Sequence, residues 1–275
     1  MLTTDSDTVL FKLDEFGVLT LTLNRPARNN AWNSEMEQAF HSLLVQASAS
    51  SEVRAIVLTG GGRSFCPGVD SEDLQQLSQT GGSNELEGRL KLYLPSLVPK
   101  PVVCAINGGC AGFGLITALC CDVRFAGETV KITTAFARRG LPAEEAVSWI
   151  LPRIVGHATA LDLLISGRVV TGAEAAQIGL VHEALPAEEL LARAHDYARD
   201  VATNCSPRSM ASVKRQIYKD WERSYEDSRL DARHLLGVLR SESGDFREGV
   251  ASFVERRAPA FEPLSVVLDP ADLYA

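Results

Sequence analysis

Residues Val9–Pro26, VLFKLDEFGVLTLTLNRP, alternate apolar and polar side chains on either side of Gly17. That period of two predicts a hairpin of strands, ended by Pro26. From Ser34 the period lengthens: Met36, Phe40, Leu43, Leu44 and Ala47 fall at i, i+4, i+7, i+8 and i+11. They predict one face of a helix, with Ser34 as N-cap and Glu37 at the capping-box position. RAIVLTG at 54–60 reads as a short apolar strand in a sheet covered on both faces. A polar helical segment is expected around Asn84–Leu97, ending at PKP, and PVVCAIN follows as a second buried strand. GGCAGFGLITALCCD then predicts a tight Gly-rich loop entering a buried helix, and VRFA a further strand. Strands alternating with helices indicate an α/β fold with a parallel sheet and right-handed crossovers. Beyond about Pro142 the pattern turns helical, and residues 187–256 predict three or four amphipathic helices. No internal repeat or low-complexity linker is visible.

Composition narrows the function classes. The 275 residues are 45% hydrophobic and 23% charged, as in an ordinary globular protein, with a net charge of −8. That sign argues against a nucleic-acid partner. It leaves an anionic small ligand open, since local arginines and helix N-termini hold phosphate whatever the global charge. The cysteines are Cys66, Cys104, Cys110, Cys120, Cys121 and Cys205, most of them inside apolar runs and none in a C-x-x-C pair. They are expected to be buried reduced thiols of a cytoplasmic protein. The N-terminal stretch lacks the marks of a signal peptide, and no apolar run reaches the ~18 residues of a membrane span. The five histidines show no metal-ligand spacing, so no metal and no membrane partner are expected.

Candidate chemistry sits in two loops, GGRSFCPGVDSEDL and GGCAGFGLITALCCD, each between a buried strand and a helix. Ligands of open α/β sheets bind beyond the carboxyl ends of the strands, where such turns lie. First-turn amides of the helices can meet an anionic oxygen. Gly68 and Gly112 or Gly114 would let the backbone approach closely. Asp70, with Asp73 behind it, reads either as the start of its helix or as a catalytic acid. Two converging peptide N–H groups on one carbonyl oxygen form an oxyanion hole, suited to a thioester enolate.

The stretches LTLNRPARNNAWN, AIVLTGGGRSFCPGVDSEDL, KPVVCAINGGCAGFGLITALCCDVRFA, RRGLPAEEAVSWILPRIVG and FREGVASFVERRAPAF resemble, in order, the crotonase superfamily of enoyl-CoA hydratases and isomerases. The likeness runs from about Val18 to Phe261. It implies a spiral core of ββα turns over 1–195 and a helical C-terminal region over 196–275 that builds homotrimers or hexamers. It also implies an acyl-CoA thioester as substrate, without a separate cofactor. The family's oxyanion donors match the backbone N–H groups of Val69 and Phe113. Its two hydratase glutamates would fall at Ile116 and Phe136, so both carboxylates are missing.

Glu144 is then the candidate acid/base, as in isomerase-type members with an acid at this place. Glu145 is its rival should the alignment slip by one, and a solvated helix start is the plain alternative for both. Ile116 and Phe136 are expected to line a dry pocket that raises the carboxylate's pKa. The resemblance places the turn of Ala27 and Arg28 beside the CoA adenine, and Arg256 and Arg257 within reach of CoA, including that of a neighbouring subunit. Cys66, Gly68, Asp70, Gly109, Gly112, Ile116, Phe136 and Arg139 complete the expected acyl-CoA contacts. Arg138 and Arg139 also read as structural or interfacial salt-bridge partners. The expected activity is a double-bond shift in a 3-enoyl-CoA through an enolate. Hydration of a 2-enoyl-CoA is the first alternative and a non-catalytic CoA-binding subunit the second. A dinucleotide-binding reading of GFGLIT fails, because Thr117 replaces the third glycine and no acid stands at a following strand end.

Overall fold

The computed structural model describes residues 2–80 and 92–269. Strands β1 (Val9–Leu13) and β2 (Val18–Leu23) form the expected antiparallel hairpin, turned at Gly17 with φ +77°. A 3-10 turn at Pro26–Arg28 leads to α1 (Ser34–Ala49), which buries Met36, Phe40, Leu43, Leu44 and Ala47. The cap lies one residue earlier than expected: the Asn33 side chain accepts the Met36 N–H at 3.0 Å, and Ser34 is already helical. Glu37 makes no capping box with Ser34. Its carboxylate accepts the indole N–H of Trp32 at 3.0 Å.

Next come β3 (Ala55–Gly60), β4 (Ser64–Cys66) and α2 (Ser71–Thr80). Most of the helix expected around Asn84–Leu97 lies outside the described residues, which resume before α3 (Leu94–Leu97). Strands β5 (Val102–Ile106) and β6 (Gly109–Ala111) precede α4 (Phe113–Leu119), and β7 (Val123–Gly127) and β8 (Lys131–Thr133) follow. The chain continues through α5 (Val147–Val155), α6 (His157–Ser166), β9 (Val170–Thr171), α7 (Gly172–Gln177) and β10 (Glu183–Leu185). Four helices close it: α8 (Ala187–Asn204), α9 (Pro207–Asp220), α10 (Tyr225–Glu242) and α11 (Asp245–Glu255).

Each of β3–β4–α2 and β5–β6–α4 gives one strand to each of two sheets and then a helix, and β7–β8 begins a third such turn. The larger sheet has the order β1-β2-β3-β5-β7-β10, parallel throughout except for β1. The smaller has the order β4-β6-β8-β9, with only β9 antiparallel. The architecture is therefore an α/β spiral of ββα turns with a helical C-terminal region.

Both faces of the larger sheet are covered, which explains its unbroken apolar strands. Ile56, Leu58, Val102, Cys104 and Ile106 face the main core together with α1 and α4. Ala55, Val57, Val103 and Ala105 face the other way, against Leu190, Ala194, Ala198 and Ala202 of α8. The i, i+4 spacing puts a stripe of three alanines, headed by Leu190, on the sheet. The division expected near residue 195 falls inside this helix.

Helix α4 is buried along its whole length, and Gly114 is what lets it approach β4. A Cβ built there would lie 2.2 Å from Cys66 O and 2.7 Å from Cys66 Cβ. Ala ordinarily favours a helix over Gly by about 1 kcal/mol. Here the overlap dominates, because backbone carbonyl cannot yield as a flexible side chain would. Gly114→Ala is expected to destabilise by about 1–3 kcal/mol, read as a lower urea midpoint at unchanged m-value. A midpoint at or above that of the native chain contradicts this packing.

Candidate active site

The two Gly-rich loops meet at the carboxyl ends of β4 and β6. A Cβ on Gly68 (φ +104°) would lie 3.2 Å from Ala111 O and 3.5 Å from both Gly112 Cα and Phe113 N. Gly112 takes φ +49° and ψ −124° as it caps α4, a backbone essentially restricted to glycine. The close approach of the loops thus depends on both glycines. Phe113 opens α4, whose hydrogen-bond ladder begins with Ile116 N–H donating to Gly112 O at 2.9 Å.

Val69 is fixed from the opposite side by a parallel bridge to Trp32. In it the Trp32 N–H donates to Gly68 O at 2.7 Å, and Trp32 O accepts the Asp70 N–H at 2.9 Å. That pattern spends the Gly68 carbonyl and the Asp70 N–H and turns the Val69 amide away from Trp32.

A cleft of about 380 Å³ opens at this junction. Ala27, Arg28, Gly68, Val69, Asp70, Gly112, Phe113, Phe136, Arg139 and Glu144 all line it, with Leu74 and Leu141 as further apolar wall. Two carboxylates stand among the described lining residues, and they differ in environment. Asp70 is 3% exposed and accepts from Arg28 Nη2 at 2.6 Å, Arg25 Nη1 at 3.1 Å and the Glu72 N–H at 3.2 Å. The Arg28 hydrogen bonds, opposed by burial and aided by the Glu72 amide and Arg25, pull its pKa down from 3.8 to about 2. Asp70 is therefore an anion at neutral pH that starts α2 and clamps the 26–28 turn onto the loop, and Asp73 takes no part in that cap.

Glu144 is half-buried and precedes α5. The helix does not begin with it: Glu145 (φ 48°) and Ala146 (φ 57°) are both left-handed, and Val147 N–H donates back to Glu144 O at 3.0 Å. This turn places Glu144 on the cleft wall, where Glu145 is not, and Glu145 instead acts electrostatically on Cys120. Such a pair of left-handed non-glycine residues costs about 1–2 kcal/mol each.

Several expected contacts lie elsewhere. Ile116 is 1% exposed in the main core, so it does not line the cleft with Phe136; α4 is buried on every side, and residue 116 faces inward. Cys66 is sealed in β4, where burial pushes its thiol up to about 12. Gly109 is a strand residue of β6, its carbonyl accepting from Ser64 Oγ at 3.1 Å. Arg256 closes α11 in a left-handed conformation, and Arg257 is held by Glu248 and Glu255, both away from the cleft wall. Arg28 lines the cleft, but its guanidinium is engaged by Asp70 and Glu72. Of the adjacent arginines, Arg138 donates to Ser166 O at 2.8 Å while Arg139 faces the cleft.

Sequence reasoning missed Arg25, Asn30 and Trp32. Asn30 is fully buried, accepts from Arg25 N–H at 2.8 Å and donates to Gly61 O and Ser64 O. The available signal was the pair Asn29–Asn30, both left-handed, a conformation asparagine tolerates.

Asp70→Asn is expected to cost about 1.5–3 kcal/mol of stability, the range for hydrogen bonds to charged groups. Arg28 makes the shorter contact and leads the pKa depression, but at 41% exposure against 19% for Arg25 its share of the stability is discounted for solvent screening. The depressed pKa means the native Asp70 contribution is complete above 3.8 and is lost as pH falls through about 2. Stability measured against pH on the acid side should therefore be flatter in the variant than in the native chain.

The profile of the family described as enoyl-CoA hydratase/isomerase matches residues 14–263. The chain is 35% identical to 1,2-epoxyphenylacetyl-CoA isomerase of Escherichia coli over 90% of its length and 95% of that protein. It is 34% identical to an enoyl-CoA hydratase of Alternaria alternata, over 90% and 84% respectively. The crystal structure of an enoyl-CoA hydratase from Mycobacterium marinum superposes with a TM-score of 0.68 at 44% identity, covering 79% of this chain and all of that one.

Proposed function

This chain belongs to the enoyl-CoA hydratase/isomerase family, and on that premise we propose that it is an acyl-CoA isomerase working by a proton shift. The observation that carries the reading is the pair of cleft carboxylates: Asp70 is locked by two arginines, which leaves Glu144 as the acid/base among the described residues. The thioester oxygen binds between the Val69 and Phe113 amides, which stabilise the enolate and so acidify the α-proton. Glu144 takes a proton from C2 of a 3-enoyl-CoA and returns it at C4, giving the conjugated 2-enoyl-CoA. No cofactor is needed besides the thioester itself. Hydration calls for a second group to activate water, and the two places where the family resemblance puts that pair hold Ile116 and Phe136.

The test is incubation with 3-enoyl-CoA and with 2-enoyl-CoA in D₂O, following products and deuterium at C2 and C4. Conjugation of the 3-enoyl thioester with deuterium uptake supports the isomerase. Addition of water to the 2-enoyl thioester at a comparable rate replaces it with a hydratase. Tight CoA binding with neither exchange nor turnover makes the chain a CoA-binding subunit.

A further inference from the structure

Trp32 does more in this structure than fill core. Its backbone makes the bridge that orients the Gly68–Asp70 segment, with both of its peptide groups spent there. Its side chain is 1% exposed and fixed at two points: the indole N–H donates to the Glu37 carboxylate at 3.0 Å, and the ring stands edge-on to Phe40 at 5.5 Å. Glu37 is itself 6% exposed on α1. A line of fixed groups thus runs from the first turn of α1 through the indole to the Trp32 peptide, and from there to the peptides on either side of Val69.

We propose that the Trp32–Glu37 hydrogen bond is a positioning device that sets the direction of the Val69 N–H in the cleft. The inference rests on the reading of Val69 as an oxyanion donor. A peptide plane that rotates weakens a hydrogen bond steeply as the N–H···O angle closes. A freed indole lets the Trp32 backbone shift, and through its bonds to Gly68 O and Asp70 N–H the Val69 amide turns with it. Neither Trp32 nor Glu37 lines the cleft, so both act through the loop and neither is a catalytic residue.

The experiment reads polarisation of the bound carbonyl directly. A saturated butyryl-CoA carrying ¹³C at C1 is bound to the full chain, and the infrared stretch of its thioester carbonyl is compared free and bound. This ligand has no double bond to shift, so the readout does not depend on Glu144. In the native chain the stretch is expected to fall on binding. Trp32→Phe and Glu37→Leu should move it back towards the free value and lower kcat roughly tenfold, a part of the 10²–10³ that full loss of a donor costs, with KM nearly unchanged. Glu37→Gln, whose amide oxygen still accepts from the indole, should keep the native stretch. The two disruptive variants combined should be no worse than either alone.

If Trp32→Phe lowers only the melting temperature and keeps the native stretch and kcat, the indole is core filling and the proposal falls. It falls equally if Glu37→Gln loses the shift as fully as Glu37→Leu, since charge would then be what matters. A native chain that shows no shift at all removes the oxyanion reading, and this inference with it.

Discussion

Replacing Glu144 by Gln is expected to lower isomerisation of a 3-enoyl-CoA by about 10²–10⁴. The substitution keeps size and hydrogen-bonding capacity and removes the ability to take a proton at neutral pH. Glu144 precedes the left-handed pair Glu145–Ala146 ahead of α5, so the substitution changes no residue inside the helix. Affinity for a saturated acyl-CoA should therefore change little, since the proposed oxyanion donors are main-chain groups. The measurement is kcat with saturating substrate alongside deuterium exchange at C2. Retention of kcat within about threefold removes Glu144 from the chemistry, as 1.4 kcal/mol is a tenfold change. Glu145→Gln is the internal comparison: its side chain is off the cleft wall and its rate should stay native.

Gly68→Ala is expected to lower kcat by about 10²–10³, the cost of one oxyanion donor. The added methyl would sit 3.5 Å from Phe113 N, between the loops where the proposed mechanism puts the thioester oxygen. It also meets Ala111 O at 3.2 Å, and φ +104° strains any L side chain. A loss of stability of about 1–3 kcal/mol accompanies the change, so rate and stability must be separated. Gly62→Ala provides the control. Gly62 has φ +72° and an added Cβ 3.2 Å from Pro26 Cβ, but it does not line the cleft. It should destabilise comparably and leave kcat intact. Equal loss of kcat in both variants would mean that the effect is strain and not an occluded oxyanion site.

Long periodic elements were legible in the sequence. The face of α1 and the amphipathic C-terminal helices carry enough residues to declare their period, and β3 and β5 declare themselves as unbroken apolar runs. The smaller sheet was not legible from periodicity, because β4, β6 and β8 have three residues each, too few to show alternation. They read as loop, and the spiral came only from the family resemblance. The cleft shows the same limit. Both Gly-rich loops were found from their glycines and flanking strands. Ile116 was misplaced because α4 has no polar face from which to tell its sides. Nothing in RPAR reveals Asp70, 42 residues on, as the partner of Arg28.

The proposed donors Val69 and Phe113 sit on successive windings of the spiral, where Gly68 packs against Gly112. Turnover is therefore a gauge of the pitch between windings. In rising denaturant, catalysis should fade before far-UV dichroism does, as the coils slip by a fraction of an ångström while every helix is still intact.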